Sequence, residues 1–206
     1  VDHDSLIRIV ERRVMDNGVM WLVRIVLENY DSGIPGKGMP LGNWTSQFFA
    51  NVYLNELDQF VKHNLKVRYY LRYVDDFVIV HQSWSQLEEY LNDIRRFLDI
   101  IQLELHPTKC SIQPLSRGVS FLGFRVYPHY RIPRKRNLRK IQIKITDLLD
   151  SYGLGQSDST DILETLNGWI GYAMQGDTYH LRKHIIKSVH SELEKRTYLR
   201  KTTRHT

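Results

Sequence analysis

Hydrophobic residues recur along this chain at two spacings, which predict separate helical and extended segments. Four stretches repeat every three or four residues, as amphipathic helices do. They cover residues 5–15, 20–29, 45–62 and 85–101. Residues 67–72 and 77–80 are instead short runs of β-branched and aromatic residues, which are typical of strands. Further short strands are expected near residues 103–105, 111–113 and 119–126.

The remaining segments predict two domains. A loop is expected at residues 31–43, where four glycines and two prolines interrupt the helical pattern. Beyond about residue 130 three helical stretches follow one another. They cover residues 137–151, 160–175 and 179–197. We therefore expect an α+β protein, with a mixed or antiparallel sheet and helices on one of its faces in residues 1–130, then a small helical domain in residues 131–206.

Composition is that of an ordinary globular protein, but charge is unevenly distributed. Charged side chains make up 25% of the 206 residues, and no apolar run approaches the roughly 20 residues of a membrane-spanning helix. The single cysteine, Cys110, excludes an internal disulfide and favours the cytoplasm. Residues 1–109 have a net charge of −3, and residues 110–206 a net charge of +9. This excess predicts that a nucleic acid contacts the second half.

Two adjacent carboxylates, Asp75 and Asp76, lie between the predicted strands at residues 67–72 and 77–80. A tight turn there would place them at the tip of a hairpin. Adjacent carboxylates repel each other, and a bound cation relieves that repulsion. Mg²⁺ prefers oxygen ligands and commonly binds one or two carboxylates together with substrate phosphates. An isolated Asp-Asp pair is more often an ordinary solvated turn, so the neighbouring motifs must decide between the two interpretations.

Those neighbouring motifs favour the metal. Residues 38–51 read Gly-Met-Pro-Leu-Gly-Asn-Trp-Thr-Ser-Gln-Phe-Phe-Ala-Asn, and residues 73–76 read Tyr-Val-Asp-Asp. Lys109 and then Phe-Leu-Gly at 121–123 follow, in the order and at the spacing seen in reverse transcriptases. The chain resembles that family over nearly its whole length. The resemblance implies the C-terminal part of a polymerase palm in residues 1–130, followed by the thumb.

The resemblance implies an RNA-directed DNA polymerase, in which a primer 3′-hydroxyl attacks the α-phosphate of an incoming dNTP on an RNA template. It implies that Asp75 and Asp76 bind two Mg²⁺ ions, for which Mn²⁺ can substitute, with Asp75 the stronger ligand. Two such ions stabilise the attacking and leaving oxygens of the displacement. Lys109 would lie near the leaving pyrophosphate as a catalytic cation. The alternative for Lys109 is an ordinary exposed lysine.

Contacts with the nucleotide and the primer are implied as well. Gly42, Ser46, Gln47 and Tyr73 would lie near the nucleotide, the template or the primer end. As an alternative, Thr45 or Ser46 could simply cap the following helix. The primer-grip hairpin would contain Phe121, Leu122 and Gly123, of which the first two could equally be core residues.

The thumb would lie along the template–primer duplex, an RNA template paired with the DNA primer or cDNA. Its basic residues would contact phosphates without reading the sequence. These residues are Arg134, Lys135, Arg136, Arg139 and Lys140. The run Gly-Trp-Ile-Gly-Tyr at 168–172 is expected to be structural, with glycines that let helices pack closely.

One carboxylate of the family's metal site is expected to be missing. In similar relatives it lies several residues before a segment like residues 1–4, whereas Asp2 and Asp4 fit the start of a helix. The fingers are expected to be missing too. We therefore expect these 206 residues alone to be inactive and a longer parent protein to be active.

Residues 41–47 predict a subclass. Leu41 and Gln47 depart from the Gln-Gly and Ser-Pro forms usual in group II intron enzymes. This form resembles the enzymes of diversity-generating retroelements, which copy RNA with frequent errors at adenines. Group II intron, retron, CRISPR-associated and phage-defence enzymes are alternatives, as is a polymerase-derived RNA-binding scaffold without catalysis. We expect a bacterial or phage-encoded cytoplasmic protein, with an accessory protein of the retroelement as a further partner and no membrane partner.

Overall fold

The computed structural model describes residues 1–29, 33–39 and 43–202, with side chains up to residue 200. These residues form seven α-helices and five short strands, so the predicted α+β class is confirmed. The chain divides into two compact units, Val1–Ile112 and Gln113–Thr206. No helix in the described ranges is long and apolar enough to cross a membrane.

The first unit packs four helices around a two-stranded hairpin. In chain order the elements are α1 (His3–Glu11), α2 (Asn17–Glu28), α3 (Trp44–Gln59), β1 (Tyr70–Tyr73), β2 (Asp76–Ile79) and α4 (Trp84–Ile100). A π-helical turn, Phe60–Asn64, extends α3. Asp2, Asp16 and Ser83 cap α1, α2 and α4, since each side chain accepts a hydrogen bond from the amide three residues later. Of the two aspartates expected at the start of the first helix, Asp2 is the cap and Asp4 lies in the first turn.

The core of the first unit is formed by the apolar faces of these helices. Leu6 of α1, Leu57 of α3 and Ile94 of α4 are almost completely buried in it. Tyr53 of α3 is also fully buried, and its hydroxyl donates to the carbonyl of Ile101 beyond α4. This hydrogen bond satisfies the one polar atom of a side chain that otherwise packs as a hydrophobic residue.

The strands predicted near residues 103–105 and 111–113 are wrong, because both segments are irregular. The amide of Leu103 donates to the carbonyl of Leu98 at the end of α4 and is therefore not available to a strand ladder. Leu103 and Leu105 pack against the first core. The alternation of apolar and polar residues at 103–105 thus arises because an irregular segment packs on the core. A two-residue period alone does not distinguish such a segment from a strand.

The second unit combines a three-stranded sheet with three helices. After a 3₁₀ turn at Leu115–Arg117, its elements are β3 (Val119–Phe121), β4 (Phe124–Val126), β5 (Arg131–Pro133), α5 (Lys135–Gly153), α6 (Ser159–Ala173) and α7 (Tyr179–Thr202). The described strands thus form two separate antiparallel sheets, β1–β2 and β3–β4–β5. The three helices match the three predicted stretches. Ile145, Ile162 and Ile185 contribute one buried side chain from each helix to their shared core.

The β3–β4 turn is bonded to the helices of its own unit. The carbonyl of Gly123 accepts hydrogen bonds from the Arg134 amide at 3.0 Å, from Asn137 Nδ2 at 3.2 Å and from the Tyr172 hydroxyl at 2.7 Å. The hairpin therefore belongs to the same compact unit as α5 and α6. The predicted boundary near residue 130 lies inside this unit, whereas the change in charge after Lys109 lies close to the observed division.

The glycines of α6 do not pack as expected. A Cβ atom added to Gly168 or Gly171 would meet no described atom within 4 Å. Trp169 between them is buried, and Tyr172 donates to Gly123. The prediction that residues 168–172 are structural therefore holds for the two aromatic residues, but the idea that the glycines allow close packing is wrong.

Candidate active site

The two adjacent carboxylates lie at the tip of the β1–β2 hairpin. Tyr73 pairs with Asp76, so Val74 and Asp75 form a two-residue turn between the strands. We call residues 73–76 the carboxylate turn. Val74 has a φ of 54°, a left-handed conformation that is costly for a β-branched residue, by about 1–3 kcal/mol. Such a conformation persists only where surrounding contacts hold it.

The carboxylate turn faces solvent. Asp75 and Asp76 are exposed, and Tyr73 is 58% exposed. Within the part of the chain that the structure describes, neither carboxylate has a hydrogen bond or an ion pair. Both can therefore accept a ligand from solvent without breaking an existing contact.

The donor set of this turn fits part of a divalent-cation site. Two adjacent carboxylates match the one or two that Mg²⁺ usually takes from a protein. The described residues contain no group of three or more His, Cys, Asp or Glu side chains that could hold a metal ion. The turn therefore supplies two ligands, and the remaining ligands would have to come from elsewhere.

Below the turn, a hydrogen-bond network joins the hairpin to α3. Arg72 donates from Nε and Nη2 to the two carboxylate oxygens of Asp58, at 2.8 and 2.6 Å. Its Nη1 donates to the carbonyl oxygen of Val74 at 2.7 Å and to Asn51 Oδ1 at 3.3 Å. The hydroxyl of Tyr70 donates to Asp58 Oδ1 at 2.7 Å. We call these five residues the Arg72 network.

Sequence reasoning missed this network. A signal was present, since Tyr70 and Arg72 are two residues apart in a strand and therefore share a face. An arginine on the inward face of a short hydrophobic strand indicates that a carboxylate lies opposite. The partner, Asp58, could not be identified from the sequence. Several other carboxylates are at least as near to the hairpin along the chain.

The charges in the network support one another. Burial of Asp58 by itself would raise the pKa of its carboxyl, but hydrogen bonds from Arg72 and Tyr70 and the charges of Arg72 and Lys62 outweigh burial and lower that pKa. The hydrogen bonds to Asp58 raise the pKa of the Arg72 guanidinium, despite the opposing effect of burial. Burial first, and then Asp58, raise the pKa of the Tyr70 hydroxyl. The network therefore contains an ionised pair and a neutral tyrosine donor at neutral pH.

Two of the predicted nucleotide contacts, Ser46 and Gln47, lie in the first turn of α3, and Tyr73 lies at the end of β1. This helix begins at Trp44 after Asn43, whose side chain makes no capping hydrogen bond, so capping by Thr45 or Ser46 is wrong. Ser46 is buried and Gln47 is exposed. Asn51 Nδ2 donates to the Gln47 carbonyl at 3.1 Å, and Asn51 Oδ1 accepts from Arg72. The first turn of α3 is thus bonded to the carboxylate turn through Asn51 and Arg72. Gly42 lies outside the described residues.

Lys109 lies in a turn at residues 107–109, beyond the irregular segment that follows α4. Its side chain is exposed, and its amide donates to the carbonyl of His106 at 3.3 Å. No hydrogen bond or ion pair links it to the carboxylate turn among the described residues. Its catalytic role stays a prediction.

The predicted primer-grip residues form the turn of the β3–β4 hairpin. Phe121 pairs with Phe124 across two central residues, Leu122 and Gly123, which have φ values of 46° and 84°. Two consecutive positive φ values are typical of a type I′ hairpin turn. Leu122 is 47% exposed at the tip. Leu122 is therefore not a core residue, and its contact with a primer stays a prediction.

Comparison with known proteins bears on all of these motifs together. Residues 1–126 match the sequence model of the family described as reverse transcriptase (RNA-dependent DNA polymerase). The chain belongs to the reverse transcriptase family. Comparison with curated proteins gave no match. The family implies RNA-directed DNA polymerase activity, a nucleic-acid template and dNTPs as partners, and divalent metal ions in general.

The match contains both hairpins of this reverse transcriptase. It covers the start of α3, the carboxylate turn, Lys109 and the β3–β4 turn, and it ends at the last residue of β4. The helices α5–α7 follow the matched region. Their assignment as a thumb therefore stays a prediction.

Five basic residues of this reverse transcriptase cluster at the start of α5. Arg134 precedes the helix, and Lys135 and Arg136 occupy its first turn, which contains no acidic residue. Cations are unfavourable at a helix N-terminus, where free amides attract negative charge. Arg139 and Lys140 follow one turn later. All five side chains are exposed, and none forms an ion pair with a described carboxylate.

Proposed function

We propose that this reverse transcriptase extends a DNA primer on an RNA template, with Asp75 and Asp76 as two ligands of its catalytic metal ions. One observation carries the proposal: the two carboxylates lie side by side at an exposed hairpin tip and have no partner among the described residues. Mg²⁺ ions bound there would supply charge stabilisation for the attacking and leaving oxygens. A tip without a metal function would gain nothing from two unpaired, mutually repelling carboxylates.

The residues around the turn would position the nucleotide. Gln47 and Ser46 lie at the N-terminal end of α3, where free amides favour a phosphate or a polar part of the nucleotide. Tyr73 is exposed opposite Asp76 and would contact the primer end through its ring. Lys109 would supply positive charge at the leaving pyrophosphate. These roles come from the family resemblance, and the bonded path from Gln47 to the carboxylate turn supports the first of them.

The second unit would hold the template–primer duplex. Its net charge is +9, and the cluster at the start of α5 repels itself and the positive end of the helix. Phosphates would relieve both effects. The β3–β4 turn would contact the primer backbone near this surface, because Gly123 is bonded to Arg134 and Asn137 of the same unit.

Primer extension by the intact protein tests the metal ligands. Asp75→Asn is expected to lower the extension rate roughly a hundredfold or more, because metal ions contribute several kcal/mol of charge stabilisation. Asp99→Asn is the matched control, since Asp99 is an exposed aspartate of the same unit. The proposal would be rejected if the wild type binds an RNA–DNA duplex but adds no nucleotide with Mg²⁺ or Mn²⁺. Equal rates for Asp75→Asn and Asp99→Asn would also contradict it.

We further infer that the protein acts in a diversity-generating retroelement. The support is the form of residues 41–47, with leucine at its start and glutamine at its end. The test is the error frequency of the intact protein opposite template adenine compared with the other three bases. A clear excess at adenine is expected. A uniformly low error frequency would contradict this subclass and leave the polymerase proposal intact.

A further inference from the structure

Arg72 is placed so that it acts on the carboxylate turn without touching a ligand. Its side chain is only 12% exposed, and that of Asp58 only 20%. The bidentate pair between them fixes the plane of the guanidinium relative to α3, because the planar fork of arginine matches the two carboxylate oxygens. The remaining nitrogen, Nη1, then points at the turn.

The atom that accepts from Nη1 is the carbonyl oxygen of Val74. This carbonyl belongs to the peptide that joins Val74 to Asp75, so its orientation sets the direction in which the Asp75 backbone leaves the turn. Val74 is held at a φ of 54°, which its branched side chain disfavours. A two-stranded hairpin is only marginally stable by itself. Arg72 belongs to β1, but its side chain adds a bond to the turn beyond the hairpin ladder and is itself anchored to α3 through Asp58.

The same guanidinium also reaches the first turns of α3. Asn51 accepts from Arg72 Nη1 at 3.3 Å and donates to the Gln47 carbonyl at 3.1 Å. A bonded path of two side chains thus joins the carbonyl of Gln47 to the carbonyl that precedes Asp75. In the proposed function these two carbonyls lie at the nucleotide site and at the metal site respectively.

We propose that Arg72 is a positioning residue, which holds the peptide before Asp75 and sets its place relative to the start of α3. The inference rests on the proposed function of Asp75 and Asp76 as metal ligands. Asp58 and Asn51 hold Arg72 in turn. The simpler alternative is that Arg72 and Asp58 form an ion pair that only stabilises the fold, and the test must distinguish the two.

The critical comparison is between Arg72→Lys and Tyr70→Phe in the intact protein. Lysine keeps the charge beside Asp58 but cannot donate to the carboxylate in a fork and to Val74 together. Tyr70→Phe removes one hydrogen bond to Asp58 and leaves the bond from Arg72 to Val74 in place. Both variants weaken the network around Asp58, but only the first one releases the turn.

Two readouts respond to the turn rather than to overall stability. The first is hydrogen–deuterium exchange of the peptide that contains residues 73–76, measured against peptides from α4. The second is the Mg²⁺ concentration that gives half-maximal primer extension. Arg72→Lys is expected to raise the exchange rate of the peptide with residues 73–76 about tenfold. It should raise the half-maximal Mg²⁺ concentration by a similar factor, a change typical of lost support for a metal ligand. Tyr70→Phe is expected to leave both within about twofold of the wild type.

The inference is overturned if Arg72→Lys and Tyr70→Phe change both readouts equally, or if Arg72→Lys changes neither. Asp58→Asn is a second variant, in case Arg72→Lys does not fold. It keeps Arg72 but weakens its anchor, so a smaller rise in both readouts is expected, and no rise would overturn the inference. If the wild type extends no primer, the proposed function fails, and hydrogen exchange alone still decides whether Arg72 holds the turn.

Discussion

The guanidinium of Arg72 lies 2.7 Å from the carbonyl oxygen of Val74, the last carbonyl before Asp75. The same side chain forms a two-point contact with Asp58 of α3. The candidate metal ligand is therefore supported by a helix that precedes it in the chain. Variants of the network and of the second unit lead to four predictions.

Asp58 makes the stability of the protein depend on pH. Folding lowers the pKa of its carboxyl, so its contribution is fully present above the ordinary pKa of about 4 and is lost as pH falls through the lower folded value. At neutral pH, Asp58→Asn is expected to reduce the free energy of unfolding by about 1–3 kcal/mol. Chemical denaturation at several pH values should show this difference shrinking as pH falls below about 5.

At each pH, the free energy of unfolding of Asp58→Asn is subtracted from that of the wild type, which cancels the effects of the other titrating carboxylates. Asp93→Asn is a suitable control, because the Asp93–Arg96 pair is an exposed contact on a single helix and should be worth only about 0.5 kcal/mol. A difference for Asp58→Asn that stays constant over the whole pH range would contradict the prediction.

Gly123 should not tolerate a side chain. It has a φ of 84°, and a Cβ atom would lie 2.7 Å from the Tyr172 hydroxyl and 2.9 Å from Asn137 Nδ2. Both of these groups bond to the Gly123 carbonyl and cannot move without losing that bond. Gly123→Ala is expected to reduce the stability of the second unit by about 2–4 kcal/mol, from backbone strain and lost hydrogen bonds. Thermal or chemical denaturation measures this loss.

Gly155→Ala separates the two causes. Gly155 has a φ of 77°, but the nearest atoms to its Cβ would lie at ordinary contact distances of 3.6 Å and more. It therefore experiences backbone strain alone, of about 1 kcal/mol. If Gly155→Ala destabilises as much as Gly123→Ala, the close contacts at Gly123 have no energetic effect.

Gly168 and Gly171 offer the opposite outcome. Both lie inside α6 with open space where a Cβ would be. Alanine in a helix interior is favoured over glycine by roughly 0.5–1 kcal/mol, so Gly168→Ala and Gly171→Ala should each raise the free energy of unfolding by that amount. Gly176→Ala should lower it, because its Cβ would lie 2.9 Å from the Arg131 carbonyl. A loss of stability at Gly168 would show that α6 packs more closely there than the structure indicates.

The cations at the start of α5 should determine how nucleic-acid affinity depends on salt. Replacing Arg136 and Arg139 with glutamine is expected to weaken duplex binding and to reduce the slope of log K against log salt by about one unit for each lost phosphate contact. Fluorescence anisotropy at several salt concentrations measures this slope. Lys195→Gln is the control, since Lys195 is already paired with Glu192 at 2.8 Å. Equal slopes for the wild type and the double variant would contradict a phosphate contact at these residues.

Local pattern was sufficient for much of the fold and for the centre of the site. The helices were predictable because their hydrophobic faces repeat over two or more turns, and the hairpin was predictable because Asp75 and Asp76 separate two β-rich runs. The order of the motifs was enough to recognise the family, because each motif is a short contiguous segment that can be identified without knowledge of the fold. The strands near residues 103–105 and 111–113 failed, because a short alternating run does not reveal what its backbone bonds to.

The contacts that support the site arise from folding, since they join residues that are distant in the chain. Arg72 is 14 residues from Asp58 and 21 from Asn51, and the Gly123 carbonyl accepts from a tyrosine 49 residues away. No periodicity encodes such pairs, because they depend on how a helix face meets a strand face once hydrophobic burial has brought them together. The sequence thus names the metal-binding carboxylates that we propose, and the three-dimensional fold selects the arginine that holds them.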